Sequence, residues 1–420
     1  MQKTYYIITI GCQMNESDSE RLANYLESYG YALAQNVNTA GVVILTTCAV
    51  RQMAEDRVYG LAPQIKANNP QCKLILTGCL SGRADVQDRL KDVVDIWLPI
   101  FSLPKLIKLL EPERTEINDE GGSYLSIFPK YSSKFTAFVP IGNGCDNWCT
   151  YCAVPSSRGR EIYRPAAEVL AECRALISAG YKEITLIAQN VNSYQSGDYN
   201  FAQLLKTVAE LPGEFWLRYA TSHPKDMSDE LIAVMANNQK ICQHVHLPAQ
   251  AGDNEVLALM NRKYTREHYL DLINKIRAAM PDAAITTDII VGFPGESAEQ
   301  FLQTAELFRQ AKYDMAYLAE FSPRSGTPAA RMVDDVTAEE KSQRKKTLDE
   351  ILSQTALAHN QKFLSQTVDV LVSSARGERC FGKTKTYQTV QFKGDKSLVG
   401  QVRKVKINEV KNFGLYGELV

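Results

Sequence analysis

The stretch "GCDNWCTYC", residues 144–152, sets Cys145, Cys149 and Cys152 in a C-x3-C-x2-C run. A ferredoxin-type run reads C-x2-C-x2-C and goes on to a fourth cysteine, because a cubane has four irons to ligate. Here the chain continues as "AVPSSRGRE", and the next cysteine is Cys173. Three thiolates on a four-iron cluster leave one iron open to bind a molecule that must react. Structural zinc prefers a closed four-coordinate site, so a missing ligand speaks for iron–sulfur.

The run follows the first of six candidate strands: "FTAFVP", "EITLIAQ", "FWLRYATS", "HVHLPAQ", "ITTDIIVGF" and "DMAYLAEF". Helical patterns such as "AAEVLAECRALISAG" and "EQFLQTAELFRQA" separate them. Six βα units predict a partial (β/α)6 barrel over residues 135–364, closed by the charged helix "TAEEKSQRKKTLDEILSQTALAHNQKFL". Upstream, over residues 1–118, the apolar runs "TYYIITI", "GVVILTT", "KLILTG" and "DVVDIWLP" alternate with amphipathic helices. That pattern predicts an α/β domain with a doubly wound parallel sheet. Residues 119–134 read as a linker. Over 365–420 the texture changes to short strands with Gly and Lys turns, "VDVLVSS", "YQTVQFKG", "VRKVKINEV" and "LYGELV", which predicts a small all-β barrel.

Composition narrows the class. The chain has 420 residues, of which 45% are hydrophobic and 23% charged, as in a globular protein with a sizeable core. No stretch approaches the roughly 18 apolar residues of a membrane span, and the N-terminus lacks a signal-peptide cleavage pattern. The expectation is a cytoplasmic protein with no membrane partner. Ten cysteines in a reducing compartment point to metal or redox chemistry rather than disulfides.

Cys12, Cys48 and Cys79 each follow a different candidate strand of the first domain. The carboxyl edge of a doubly wound sheet is where ligands bind, so these thiolates, 67 residues apart at the extremes, are expected to converge there. Soft sulfur ligands suit iron–sulfur or zinc, and two three-cysteine sites in one chain favour iron–sulfur. Cys72, Cys173, Cys242 and Cys380 have no partner pattern, and Cys173, on the helical run "AAEVLAECRALI", reads as a buried thiol. His244 and His246, alternating about Val245, read as barrel-interior or packing residues rather than metal ligands.

"CDNWCTYC" at the head of a six-strand α/β series resembles the radical S-adenosylmethionine (SAM) enzymes. In that superfamily the open iron is chelated by the amino and carboxylate groups of SAM, and an electron from the cluster splits the sulfonium to a 5′-deoxyadenosyl radical. "GCQMNESDSE" (11–20), "TTCAVR" (46–51), "GCL" (78–80) and "GCDNWCTYCAVPSSRGRE" (144–161) together are similar to the methylthiotransferases, over essentially the whole chain. That family carries an N-terminal cysteine domain, a radical SAM barrel and a small C-terminal β domain called TRAM. "GCQMN" and "TTCAVR" resemble its tRNA branch. Ala188, Ala251 and "TGCLSGR" (77–83) depart from the usual pattern without touching a cluster cysteine.

The resemblance implies methylthiolation of C2 of N6-isopentenyladenosine at position 37 of tRNA, with two SAM molecules and two [4Fe-4S] clusters. The alternatives are the same chemistry on a ribosomal-protein aspartate or on threonylcarbamoyladenosine in tRNA. A non-catalytic RNA-binding or iron–sulfur regulatory protein would need neither the open three-cysteine motif nor the barrel. The expected metal ligands are Cys12, Cys48, Cys79, Cys145, Cys149 and Cys152. Tyr151 is expected against the SAM adenine. Gln189, Asn190, Arg218, Ser222 and Gln250, on or at the ends of barrel strands, are expected to hydrogen-bond SAM, since barrel active sites lie at that mouth.

The last domain has ten Lys/Arg against five Asp/Glu, a net +5 in a chain of −1. A basic β domain fits phosphate contact, and Phe381, Tyr387, Phe392 and Phe413 are candidates to stack on unpaired bases. Arg158, Arg160, Lys383, Lys385, Arg403 and Lys404 are the expected RNA contacts. The expected partners are a tRNA anticodon stem-loop and a one-electron donor such as flavodoxin or ferredoxin, with the enzyme a monomer.

Overall fold

The computed structural model describes residues 3–49, 52–114 and 123–420. The expected boundary at residue 118, residues 119–122 of the linker, and Val50 and Arg51 of "TTCAVR" lie outside the described residues.

The N-terminal sheet has five parallel strands in the order Ala32–Leu33, Thr4–Thr9, Val42–Thr47, Lys73–Gly78, Ile96–Leu98. Its central strands are apolar at nearly every position because both faces are covered. Val43, Leu45, Leu74 and Leu76 face one core cluster, and Val42, Ile44 and Ile75 face the other. The strand order reverses beside Thr4–Thr9, so the sheet has its switch point where Cys12 leaves.

Helix Gln13–Ser28 begins at Cys12 and is unusual in burying Asn15, Ser17, Asp18, Ser19, Glu20 and Arg21. It lies between the sheet and the first barrel strand, Thr136–Pro140, so its polar side chains find partners in both. Residues 123–134, read as linker, are built into this junction. Tyr124 and Leu125 enter the N-terminal core, and Ser132 binds the Glu20 carboxylate through its backbone N–H (2.8 Å) and hydroxyl (2.7 Å). Buried Arg21 and Arg164 meet on Glu172, which also accepts from Tyr131.

The barrel has the six expected strands: Thr136–Pro140, Glu183–Ile187, Trp216–Ala220, His244–His246, Ala284–Val291 and Met315–Glu320. They form two parallel three-stranded halves joined by the Leu217–Ile241 bridge. Helix Ala338–Gln361 packs along the last strand. Cys173 is buried in the barrel core, and Cys72, Cys242 and Cys380 are likewise buried.

The C-terminal segment is a closed five-stranded barrel: Thr367–Arg376, Arg379–Lys383, Thr389–Lys393, Gly414–Leu419 and Val402–Lys411, in that spatial order. The strand Arg379–Lys383, "RCFGK", carries no apolar alternation and was not among the expected strands. Gly382 in it is required by close approach, since a Cβ there would sit 2.3 Å from the Leu371 carbonyl oxygen. No helix among the described residues is long and apolar enough to cross a membrane.

Candidate functional site

The three N-terminal cysteines are gathered by backbone stitching at the sheet's carboxyl edge. The Thr47 carbonyl accepts from Cys79 N (2.8 Å) and from the Asn15 side chain (3.0 Å). Asn15 in turn accepts from Cys12 N (3.3 Å) and lies 3.3 Å from Cys12 Sγ. Gly11 has φ +150°, and a Cβ there would lie 2.8 Å from the Cβ of Cys48 and 2.3 Å from Asn15 Oδ1, so only glycine lets the two cysteine loops close. Cys48 and Cys79 are buried; Cys12 is the exposed member, bordering an open groove of about 880 Å³ that Glu16, Glu20 and Lys130 also line.

The barrel triad lies on the loop after Thr136–Pro140. Gln189 anchors that loop by accepting from Gly144 N (2.7 Å), and Asn261 holds it by donating to the Trp148 carbonyl (2.8 Å). Trp148 (φ 51°) and Asn261 (φ 56°) are both left-handed, a strain that concentrates at working sites. Burial pushes the Cys145 thiol up and the Cys152 thiol up to about 12. Cys79 of the N-terminal domain adds to the rise at Cys152.

Two buried arginines address the sulfurs. Arg158 donates from Nε to Cys79 Sγ (3.2 Å), from Nη1 to Asn143 (3.0 Å) and from Nη2 to Asp18 (2.7 Å). Arg262 donates from Nη1 to Cys149 Sγ (3.4 Å), from Nε to Tyr264 (2.9 Å) and from Nη2 to the Pro248 carbonyl (2.9 Å). Asp18, Asn143, Asn261 and Arg262 were not among the expected residues. The signal that could have found the first is the acidic residue inside "GCQMNESDSE", facing a sheet edge where a basic partner is needed.

The donor set fits iron–sulfur. Six thiols from two triads carry no carboxylate or imidazole among them, and all-sulfur sets select soft metals and clusters. Among the described residues no three His, Cys, Asp or Glu side chains converge on one point as a single-ion cage requires.

The other expected residues divide. Tyr151 is half-buried, within electrostatic reach of Cys149, Cys152 and Arg262. At the mouth Asn190 donates to Asp226 (2.8 Å) while its Oδ1 is buried without a partner, an acceptor waiting for a donor. Ser222 donates to the His246 carbonyl. Gln250 is buried with φ 71°, its backbone paired to the Asp288 carbonyl (2.9 Å) and Ile290 N (2.9 Å).

Arg218 lies elsewhere. Its guanidinium points away from the cysteine loop, to Glu183 (2.6 Å) at the amino end of the neighbouring strand and to the carbonyls of Thr384 (2.7 Å) and Lys385 (2.9 Å). The C-terminal domain plugs the amino end of the barrel there, so Arg218 serves that seam. Lys383 and Lys385 are spent in it too: Lys383 donates to Thr389 (2.9 Å) and lies over the Tyr387 ring, and Lys385 donates to the Gln239 carbonyl (2.8 Å). Tyr387 stacks on His244 at 4.6 Å and 6°, and Phe392 is core, so neither is open to a base. His244 and His246 are lumen residues bonded to Thr286, in line with their reading.

Arg158 is buried between the domains and paired with Asp18. Arg160 is exposed beside Asp146 (3.0 Å), and Lys404 is exposed beside Asp369 (3.1 Å). Arg403 is half-buried, with its Nε unpartnered.

A barrel with an open three-cysteine loop at its carboxyl mouth defines a radical SAM enzyme, and residues 139–308 match the family model described as the Radical SAM superfamily. Residues 4–98 match Uncharacterized protein family UPF0004 and 361–420 match the TRAM domain. Among solved structures, the chain resembles the radical S-adenosylmethionine methyltransferase TsrM from Kitasatospora setae, with a TM-score of 0.59 and 13% identity over 78% of this chain and 75% of that one, a likeness of fold. It is 42% identical to the tRNA-2-methylthio-N(6)-dimethylallyladenosine synthase of Thermoanaerobacter sp. (strain X514) over 99% of this chain and 92% of the relative. The enzyme of the same name from Carboxydothermus hydrogenoformans is 42% identical over 100% of both chains. The chain belongs to the tRNA-2-methylthio-N(6)-dimethylallyladenosine synthase family.

Proposed function

We propose that this enzyme methylthiolates C2 of N6-isopentenyladenosine at position 37 of tRNA, using SAM and two [4Fe-4S] clusters. The observation that carries the reading is the contact of Arg158, which follows the barrel cysteine loop in sequence, with Cys79 and Asp18 of the N-terminal domain. Cys145, Cys149 and Cys152 would hold the cluster that binds SAM, and Cys12, Cys48 and Cys79 the second. C2 of adenine carries an unactivated C–H bond, on which general acid–base catalysis has little to act. The clusters and SAM supply hydrogen abstraction there and the methylthio group.

The chain's own residues build the chamber. Gln189 and Asn261 fix the barrel cysteine loop from two sides. Asn190 offers a buried acceptor at the mouth, suited to an amino or hydroxyl donor of SAM. Arg158 and Asp18 hold the two domains in register. The TRAM barrel, seated at the opposite end, presents Arg403 and Lys404 as phosphate contacts. A flavodoxin or ferredoxin would supply single electrons to a cytoplasmic monomer.

The test is mass analysis of tRNA nucleosides from cells lacking the protein. Isopentenyladenosine should accumulate without its methylthio form, and restored chain should reverse this. Unchanged nucleosides together with an unmodified ribosomal-protein aspartate would move the substrate to protein.

A further inference from the structure

Among the described residues six arginines are buried: Arg21, Arg158, Arg164, Arg218, Arg262 and Arg344. Five are paired with a carboxylate, Arg21 and Arg164 with Glu172, Arg158 with Asp18, Arg218 with Glu183 and Arg344 with Glu296. Among the described residues Arg262 alone has none. Its partners are a phenol, a carbonyl and the Cys149 sulfur. A buried ion without a counter-ion is strongly penalised, and a fold that neutralises five of six buried guanidinium groups leaves the sixth for an anion that arrives with Cys149.

The side chain is held rigidly for that purpose. Tyr264, which accepts from Arg262 Nε, is itself fixed on the Ala249 carbonyl (2.8 Å) and lies edge-on to His223 at 5.6 Å. Pro248 takes the second branch of the guanidinium, so Nη1 is left aimed at the sulfur. Arg158 on Cys79 has a similar donor geometry, but Asp18 cancels its charge. One triad thus faces a net cation and the other a neutral pair.

We propose that Arg262 is a positioning residue for the barrel cluster, whose uncompensated charge and hydrogen bond to Cys149 Sγ stabilise the cluster after it accepts an electron. Charge and hydrogen bonds at the sulfurs are principal determinants of iron–sulfur potential. The inference rests on the reading of Cys145, Cys149 and Cys152 as cluster ligands.

The experiment uses the full chain carrying Cys12→Ala, Cys48→Ala and Cys79→Ala, reconstituted anaerobically so that only the barrel cluster is present. Iron content, an EPR-monitored redox titration and SAM binding are read for this parent, R262K, R262Q and R262M. Arg262→Met and Arg262→Gln should lower the one-electron reduction equilibrium at least tenfold, about 59 mV, with an altered EPR signal, while Arg262→Lys stays within a few-fold of the parent. If the Met variant fails to take up iron, the Gln variant, which keeps a polar head, gives the same reading. A midpoint equal to the parent's in Arg262→Gln overturns the inference. So does an unchanged midpoint with SAM affinity lost more than tenfold, which would assign the guanidinium to the SAM carboxylate. A parent that binds no iron refutes the cluster reading itself and is seen before any potential is measured.

Discussion

Arg158 of the barrel and Asp18 of the N-terminal domain form a 2.7 Å ion pair with both side chains almost wholly buried. Removing one partner of such a pair strands a charge, which is typically destabilising by about 3–5 kcal/mol. Arg158→Met should lower the denaturant midpoint accordingly, and Arg158→Met with Asp18→Asn should recover much of the loss. A single variant as stable as the parent would show that the pair does not join the domains.

Metal content follows from the two triads. Anaerobic reconstitution should load about eight irons per chain, four for each cubane. The Cys145→Ala, Cys149→Ala, Cys152→Ala variant should keep about half. A variant retaining the full load, or a parent holding only zinc, would remove the two-cluster reading.

The triads should divide the chemistry. The Cys12→Ala, Cys48→Ala, Cys79→Ala variant should still release 5′-deoxyadenosine under strong reductant and make no methylthio product. Product at the parental rate would show that the N-terminal triad does not supply sulfur.

Salt dependence separates RNA-binding cations from seam cations. Removing one cation that neutralises a phosphate should reduce the log–log salt slope of tRNA binding by about 0.9 or less. Lys404→Ala, on the exposed barrel face, should flatten the slope. Lys385→Ala, whose amine is bound to the Gln239 carbonyl, should leave it unchanged. Arg218→Ala should loosen the seam, seen as faster proteolysis near residue 364.

Acid should destabilise the barrel through His223. Its Nδ1 accepts from Lys225 N (3.2 Å), its Nε2 is buried without a partner, and burial pushes its pKa down to about 2 with help from Arg262 and Lys225. The unfolded chain protonates this imidazole near pH 6.5 and the folded chain does not. Stability is therefore whole above pH 6.5 and falls below it, by roughly 1.4 kcal/mol per pH unit from this group. His223→Gln should show a shallower loss between pH 6.5 and 5 in denaturant titrations; an identical slope would exclude His223 as the source.

By itself, the sequence determined most of the strand series and singled out six cysteines as the expected sulfur ligands. These are local properties: an apolar run between helical patterns, or a cysteine directly after such a run, has one reading in a parallel α/β fold. The tertiary structure alone decided where the charges go. Arg218 alternates into the barrel lumen, but nothing near it in sequence says that residues 384–385 fill the amino end, 166 positions away. Lys383 and Lys385 look like exposed cations until that seam engages them, and Arg158 looks like a loop cation until Asp18, 140 residues upstream, meets it. The strand Arg379–Lys383 lacked a periodic signal because its pairing rests on a glycine closing against Leu371. Ion pairs and domain seams join residues remote in sequence, and their strength comes from burial, which only packing of the whole chain creates.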